Sequence, residues 1–222
     1  MHIDKLRDKI HQKLHEAISA AGVAELRPAQ VKAVDAGLLD GKNLLVCTPT
    51  ASGKTLIAEL AAVSAILSRK GKAVYVVPLK ALASEKFNDF KKRYGSFLNV
   101  ALSIGDFDSS DPYLADYDLI ICTAEKLASL IRHHAPWVRM VAVVVIDEIH
   151  MLNDPGRGPT LEILITMLRQ LLPKSQLIGL SATIGNPEEL AAWLDAKLVI
   201  DSWRPVRLHQ GVYRDGTIHF KK

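Results

Sequence analysis

An α/β domain with a mostly parallel sheet and helices on both faces is the fold this sequence predicts, and three observations predict it. Short β-branched or apolar runs alternate with longer segments of helical spacing. The run Val141 to Ile146 is apolar throughout, as a strand buried on both faces should be. A Gly-Lys-Thr turn joins the first such run to an apolar helix.

The elements follow in order. Ile3, Leu6, Ile10, Leu14 and Ile18 fall at helical spacing, so residues 3–21 read as an amphipathic helix ended by Gly22. Leu26-Arg27-Pro28-Ala29-Gln30 opens a second helix, with Pro28 in its first turn. Strands are expected near 43–47, 73–77, 99–103, 118–122, 142–146, 177–180 and 197–200. Helices are expected near 54–69, 80–93, 124–133, 159–172 and 187–194. After Ile200 the pattern changes to Asp201-Ser202-Trp203-Arg204-Pro205, then a strand-like run from Val206 to Tyr213. The expected organisation is an N-terminal helix in 1–25, one α/β domain in 26–200, and an exit linker or edge strand in 201–222.

Composition sets the class. The chain has 222 residues, 49% hydrophobic and 23% charged, enough for one large α/β domain with a sizeable core. No apolar run reaches the ~20 residues that cross a bilayer, and the first residues lack a signal-peptide core. No membrane partner is therefore expected. Cys47 and Cys122 each end a predicted strand and read as small core residues in a reducing compartment, so a cytoplasmic location is expected. The net charge of +4 permits a polyanionic partner without requiring one.

Two motifs carry the chemistry. Thr48-Pro49-Thr50-Ala51-Ser52-Gly53-Lys54-Thr55 lies between strand and helix, where successive amides and a helix N-terminus favour phosphate. Lys54 can reach outer phosphates, and the Thr55 hydroxyl can hold Mg²⁺. Thr48 stands where a first glycine is expected. Asp147-Glu148-Ile149-His150 ends the Val141–Ile146 run. Asp147 can hold Mg²⁺ with Thr55, and Glu148 can orient or deprotonate an attacking water. Both motifs, with Pro78-Leu79-Lys80-Ala81-Leu82, Thr123-Ala124-Glu125-Lys126 and Ser181-Ala182-Thr183, follow strands. Ligands bind at that edge of a parallel sheet.

This ordered set resembles the first RecA-like lobe of a superfamily-two helicase, a three-layer P-loop domain. Asp154 to Glu162 and Trp203-Arg204-Pro205-Val206 resemble the Ski-like branch, nearest the archaeal Hjm-type 3′-to-5′ DNA helicases of stalled forks and repair. The resemblance implies ATP and Mg²⁺ as ligands, with Gln30 reading adenine, Lys54 and Asp147 serving catalysis and Glu148 acting as the base. It implies that Lys80, Ala81, Thr123 and Lys126 hold a sugar–phosphate strand, and that His150 couples the ATP site to Ser181 and Thr183. It implies single-stranded or forked DNA as partner, with RNA also open, and a second RecA-like lobe in the parent protein. The lobe alone is then expected to be a very weak ATPase that does not unwind duplex. An RNA helicase of the same branch remains an alternative, as does a P-loop ATPase that moves protein or acts as a switch.

Other clusters read as structural. His11 and His15 are four apart on the expected first helix, but residue 12 is Gln, so they read as a solvated face. Asp106, Asp108 and Asp111 form an acidic loop without the rest of a calcium loop. Arg157 can meet nucleic acid or pair with Glu162.

Overall fold

In the computed structural model, described for all residues except 106–109, 207–210, 215 and 221–222, seven strands form one sheet. They are β1 (Leu44–Cys47), β2 (Lys72–Val77), β3 (Val100–Ser103), β4 (Leu119–Thr123), β5 (Val141–Ile146), β6 (Gln176–Ser181) and β7 (Lys197–Ile200). The order is β3-β4-β2-β5-β6-β1-β7, and every pairing is parallel. The seven strands sit within one or two residues of their predicted places.

Period-2 alternation divides the core. Leu44, Val46, Tyr75, Val77, Val143 and Val145 face one side. Their neighbours Leu45, Cys47, Val74, Val76, Val144 and Ile146 face the other. The first side is covered by α1 (Gln12–Ala20), α2 (Pro28–Asp35), α3 (Lys54–Leu67) and α4 (Lys80–Tyr94). The second is covered by α5 (Ala124–Arg132), α6 (Gly158–Leu171) and α7 (Pro187–Trp193). The result is three layers, as predicted.

Two terminal expectations need correction. The single helix expected over 3–21 is two pieces, a 3₁₀ turn at Ile3–Leu6 and α1. The chain breaks at His11, which is extended, and its Nδ1 accepts the Lys13 N–H at 3.2 Å as an N-cap. Both pieces still bury Ile3, Leu6, Ile10, Leu14 and Ile18 in the same core. His15 is not on a solvated face; it is buried, with Nε2 3.1 Å from Asp4 Oδ1. At the other end, the run expected over Val206–Tyr213 is not an edge strand of the main sheet. Residues 207–210 lie outside the described residues, and β8 (Gly211–Arg214) pairs with β9 (Thr217–Phe220) as a separate antiparallel hairpin. Val212, Tyr213, Ile218 and Phe220 on it are exposed. Cys47 and Cys122 are both buried and free. Among the described residues, no helix is long and apolar enough to cross a membrane.

Candidate nucleotide site and nucleic-acid rim

Parallel pairing places every strand's carboxyl end on one rim, and the strand order divides that rim in two. The β5-β6-β1 half carries Asp147, Ser181 and the 48–55 loop. The β3-β4-β2 half carries Thr123 and the Pro78–Ala81 turn.

The 48–55 loop is tied from several directions. The Thr48 hydroxyl is 2.7 Å from the Ser52 hydroxyl, both buried. Thr48, the departure from the glycine pattern, thus pins the loop across its width. Its N–H donates to Ser181 O at 3.2 Å, so the loop is also fixed to β6. Gly53 has φ +91°, a backbone conformation that suits glycine, and an added Cβ would collide with Gln30 Nε2. Arg27 Nη1 donates to Ala51 O at 2.6 Å. Lys54 Nζ donates to Thr48 O at 3.0 Å and Pro49 O at 3.2 Å. Burial lowers its pKa, opposed by the Glu148 and Asp147 carboxylates.

Gln30, which the resemblance assigns to adenine, lies between α2 and the loop. It is buried, its Oε1 accepts the Arg27 N–H at 2.8 Å, and its Nε2 donates to Gly53 O at 2.9 Å. An amide has four hydrogen-bonding positions; here Nε2 braces the loop, and Oε1 caps the first turn of α2.

Across the cavity, Asp147 is held by its neighbours. Its N–H extends the β5–β2 ladder to Val76 O at 2.8 Å. Its Oδ1 accepts the Glu148 N–H at 3.0 Å, and its Oδ2 accepts the Tyr75 hydroxyl at 2.8 Å. Tyr75 is fully buried on β2, with its ring edge-on to Phe90 of α4 at 5.5 Å. Burial first, then Asp147, pushes its pKa well up, so the phenol stays a donor. Glu148 sits at φ +51°, a left-handed conformation rare outside glycine. Its Oε2 is 3.3 Å from His150 Nδ1. The same Nδ1 is 3.4 Å from the Ala182 N–H. Nδ1 accepts the Ala182 N–H when it carries no proton and donates to Glu148 when it carries one, so the tautomer sets the partner. His150 reaches the backbone between Ser181 and Thr183, not their side chains. Ser181 is buried beside Cys47, and Thr183 is exposed.

These groups line a cavity of about 420 Å³, with Arg27, Lys54 and Lys86 as its cations, Asp147 and Glu148 as its acids, and Pro205 at its edge. The donor set fits a polyphosphate and a hard divalent cation: ammonium and guanidinium groups for phosphate, and a hydroxyl and a carboxylate for Mg²⁺. A larger cavity of about 590 Å³, reached by Leu38, Lys70, Met140 and Gln176, lies at the opposite edge of the sheet. Lys70, Arg139, Lys174 and Asp40 line it, but none of the motifs that follow the strands does. No short sequence motif marks Lys86, Tyr75 or the Arg27–Trp203 contact, in which the guanidinium lies 5.5 Å from the indole. All three depend on residues far apart in the chain.

Because Tyr75 fixes Asp147, Tyr75→Phe is expected to raise the Mg²⁺ concentration needed for nucleotide binding ~10-fold. Its unfolding free energy should fall by only about 1 kcal/mol. A magnesium titration beside a thermal melt checks both.

On the other half of the rim, Lys80 and Ala81 are exposed in the first turn of α4. Lys126 is not exposed. It is buried, with Nζ 2.8 Å from Asp111 Oδ2. Thr123 is also buried, and its hydroxyl accepts the Lys126 N–H at 3.4 Å as the N-cap of α5. An ion pair and a helix cap take these two side chains into the fold. Asp111 of the acidic loop faces inward to make that pair, while Asp106 and Asp108 lie outside the described residues. Arg157 does not pair with Glu162 in the described contacts; its Nη1 donates to Pro78 O at 3.4 Å, on the β2 side of the rim.

Comparison with known proteins agrees with this layout. The family description "DEAD/DEAH box helicase" matches residues 27–190. The chain is 52% identical over its whole length to the ATP-dependent DNA helicase Hel308 of Pyrococcus horikoshii, covering 30% of that protein. It is 53% identical over 94% of its length to Hel308 of Methanocaldococcus jannaschii, covering 18% of it. The chain thus spans less than a third of the length of these relatives. Among solved structures, the DUF1998 helicase MrfA bound to DNA superposes with a TM-score of 0.76 at 27% identity, over 87% of this chain and 30% of that one.

Proposed function

The chain belongs to the DEAD/DEAH box helicase family, and on that premise we propose that it is the ATP-binding lobe of an ATP-dependent DNA helicase. One observation carries the reading. Lys54 and Thr55 face Asp147 and Glu148 across a single cavity at the carboxyl rim of the sheet. Similarity to the Hel308 DNA helicases and to a DNA-bound helicase structure supports DNA as the substrate. Single-stranded or forked DNA, translocated 3′ to 5′, is the form the family resemblance favours.

Each residue's part follows from its position. Lys54, now folded onto the carbonyls of Thr48 and Pro49, turns outward to the outer phosphates. Thr55 Oγ1 and Asp147 would hold Mg²⁺. The bound ion would neutralise phosphate charge as the terminal bond breaks. Glu148 takes the proton of the attacking water. Gln30 keeps the loop in shape and has amide positions left for adenine. His150 passes the state of Glu148 to the Ser181–Thr183 segment through Ala182. Lys80, Ala81 and the first turn of α4 hold the sugar–phosphate strand without reading bases.

A second RecA-like lobe in a protein of the relatives' length would close over this site and supply the trans-acting arginines of such ATPases. The lobe alone is therefore expected to bind Mg-ATP weakly, hydrolyse it very slowly and respond little to DNA. Steady-state ATPase measurements with and without single-stranded DNA, at two salt concentrations, test this. Robust DNA-stimulated turnover by the lobe alone would sink it. In the longer protein, stimulation should weaken as salt rises, and matched DNA and RNA strands should separate the two substrates.

A further inference from the structure

The helix that begins at the nucleic-acid rim also reaches into the nucleotide cavity. Lys86 lies in the second turn of α4, half-buried, and its Nζ donates to Thr55 Oγ1 at 3.2 Å. It lines the same cavity as Lys54, Asp147 and Glu148. The backbone carrying it is anchored. One turn further on, Phe90 meets the Tyr75 ring at 5.5 Å. At the next turn, Arg93 pairs with the buried Glu59. α3 and α4 therefore run side by side from the rim, joined first at Thr55–Lys86 and then at Glu59–Arg93.

The Lys86 ammonium bonds the very oxygen assigned to Mg²⁺. An ammonium and a divalent cation repel and cannot both sit close against one hydroxyl. When the metal takes Thr55 Oγ1, Lys86 needs another acceptor within reach of its flexible stem. A magnesium–triphosphate keeps net negative charge, and its terminal phosphate lies beside the metal. A diphosphate lacks that group.

We propose that Lys86 is a second phosphate-binding lysine that contacts the terminal phosphate and so distinguishes ATP from ADP. The inference rests on the ATP-site reading above. It adds a residue on α4 to a site otherwise built from the 48–55 loop and β5. A strand gripped at Lys80 and a phosphate gripped at Lys86 would bear on one rigid helix.

The test is equilibrium titration of the lobe with a non-hydrolysable fluorescent ATP analogue and with the matching ADP analogue, both with Mg²⁺. Lys86→Met is expected to weaken triphosphate binding ~10-fold, the scale of one charge-assisted hydrogen bond. It should change diphosphate binding by no more than ~2-fold, and Lys86→Arg should retain most of the preference. Equal loss for both ligands, or no loss, overturns the proposal. Tighter triphosphate binding also overturns it, since Lys86 would then only compete with the metal. Lys86→Gln, checked by thermal melting against wild type, repeats the measurement with a polar side chain. Lys54→Ala separates the two readings. If it binds both ligands as wild type does, the ATP site is misplaced; if it loses both while Lys86→Met loses neither, only the Lys86 assignment fails.

Discussion

Glu148→Gln, placed in a protein of the relatives' length, is expected to lower ATP turnover ~10²–10⁴-fold, the usual contribution of a positioned general base. ATP affinity should stay within a few-fold of wild type. The amide keeps the size and hydrogen-bonding reach of the side chain but cannot take a proton at neutral pH. The backbone around it should not move, because the left-handed turn at Glu148 is set by the Asp147 carboxylate accepting its N–H and by the 3₁₀ turn that follows. Lys54→Ala supplies the contrast. It removes a cation aimed at the phosphates, so binding should suffer first, seen as a raised KM. Single-turnover and binding measurements on both variants separate the effects. Equal, mild losses of affinity and turnover in the two would contradict the assigned roles.

What the sequence revealed, and what it hid, divides by the range of the interaction. The strands were legible because a parallel strand buried on both faces is a short apolar run, as Val141 to Ile146 is. The site's address was legible too, since motifs that follow parallel strands must share a rim. The N-terminal break was not. Apolar residues at helical spacing fit one helix or two, and the imidazole cap at His11 that chooses between them leaves the spacing unchanged. The burial of Lys126 was not legible, because its partner Asp111 lies on a loop that only the fold turns inward. Gln30 looked free for a ligand until Gly53 of the phosphate loop came to lie against it. Lys86 and Tyr75 belong to no short pattern. One is placed by helix packing against α3, the other by pairing of β2 with β5.

Arg93→Met should give the largest loss of stability among the polar contacts of the α3–α4 interface. Glu59 is almost wholly buried on the helix that leaves the phosphate loop. Its carboxylate accepts from Arg93 Nη1 at 2.6 Å and from the Tyr94 hydroxyl at 2.8 Å. Burial raises the Glu59 pKa, opposed first by the Arg93 charge. Methionine keeps the aliphatic stem of arginine and removes only the charge and its hydrogen bonds. Breaking a buried pair from one side typically costs ~3–5 kcal/mol. Arg93 itself is a third exposed, with 34% side-chain exposure, and solvent replaces part of what it supplies, so about 2–3 kcal/mol is expected here. The pH dependence has a definite sign. A carboxyl whose folded pKa lies above its unfolded value of about 4.3 gives its full stabilisation below that value and loses it as pH rises through the folded pKa. Removing Arg93 raises the folded pKa further, so the penalty should be largest near neutral pH and shrink as pH falls toward that unfolded value. Denaturant unfolding of wild type and variant across that range measures it. A penalty that stays flat with pH would mean that Glu59 is already protonated in the native protein, and that the Glu59–Arg93 contact is a hydrogen bond without a charge pair. Glu59→Gln, which keeps the shape and has no proton to take up, should then match wild type below the unfolded value of about 4.3 and become the more stable of the two as pH rises above it.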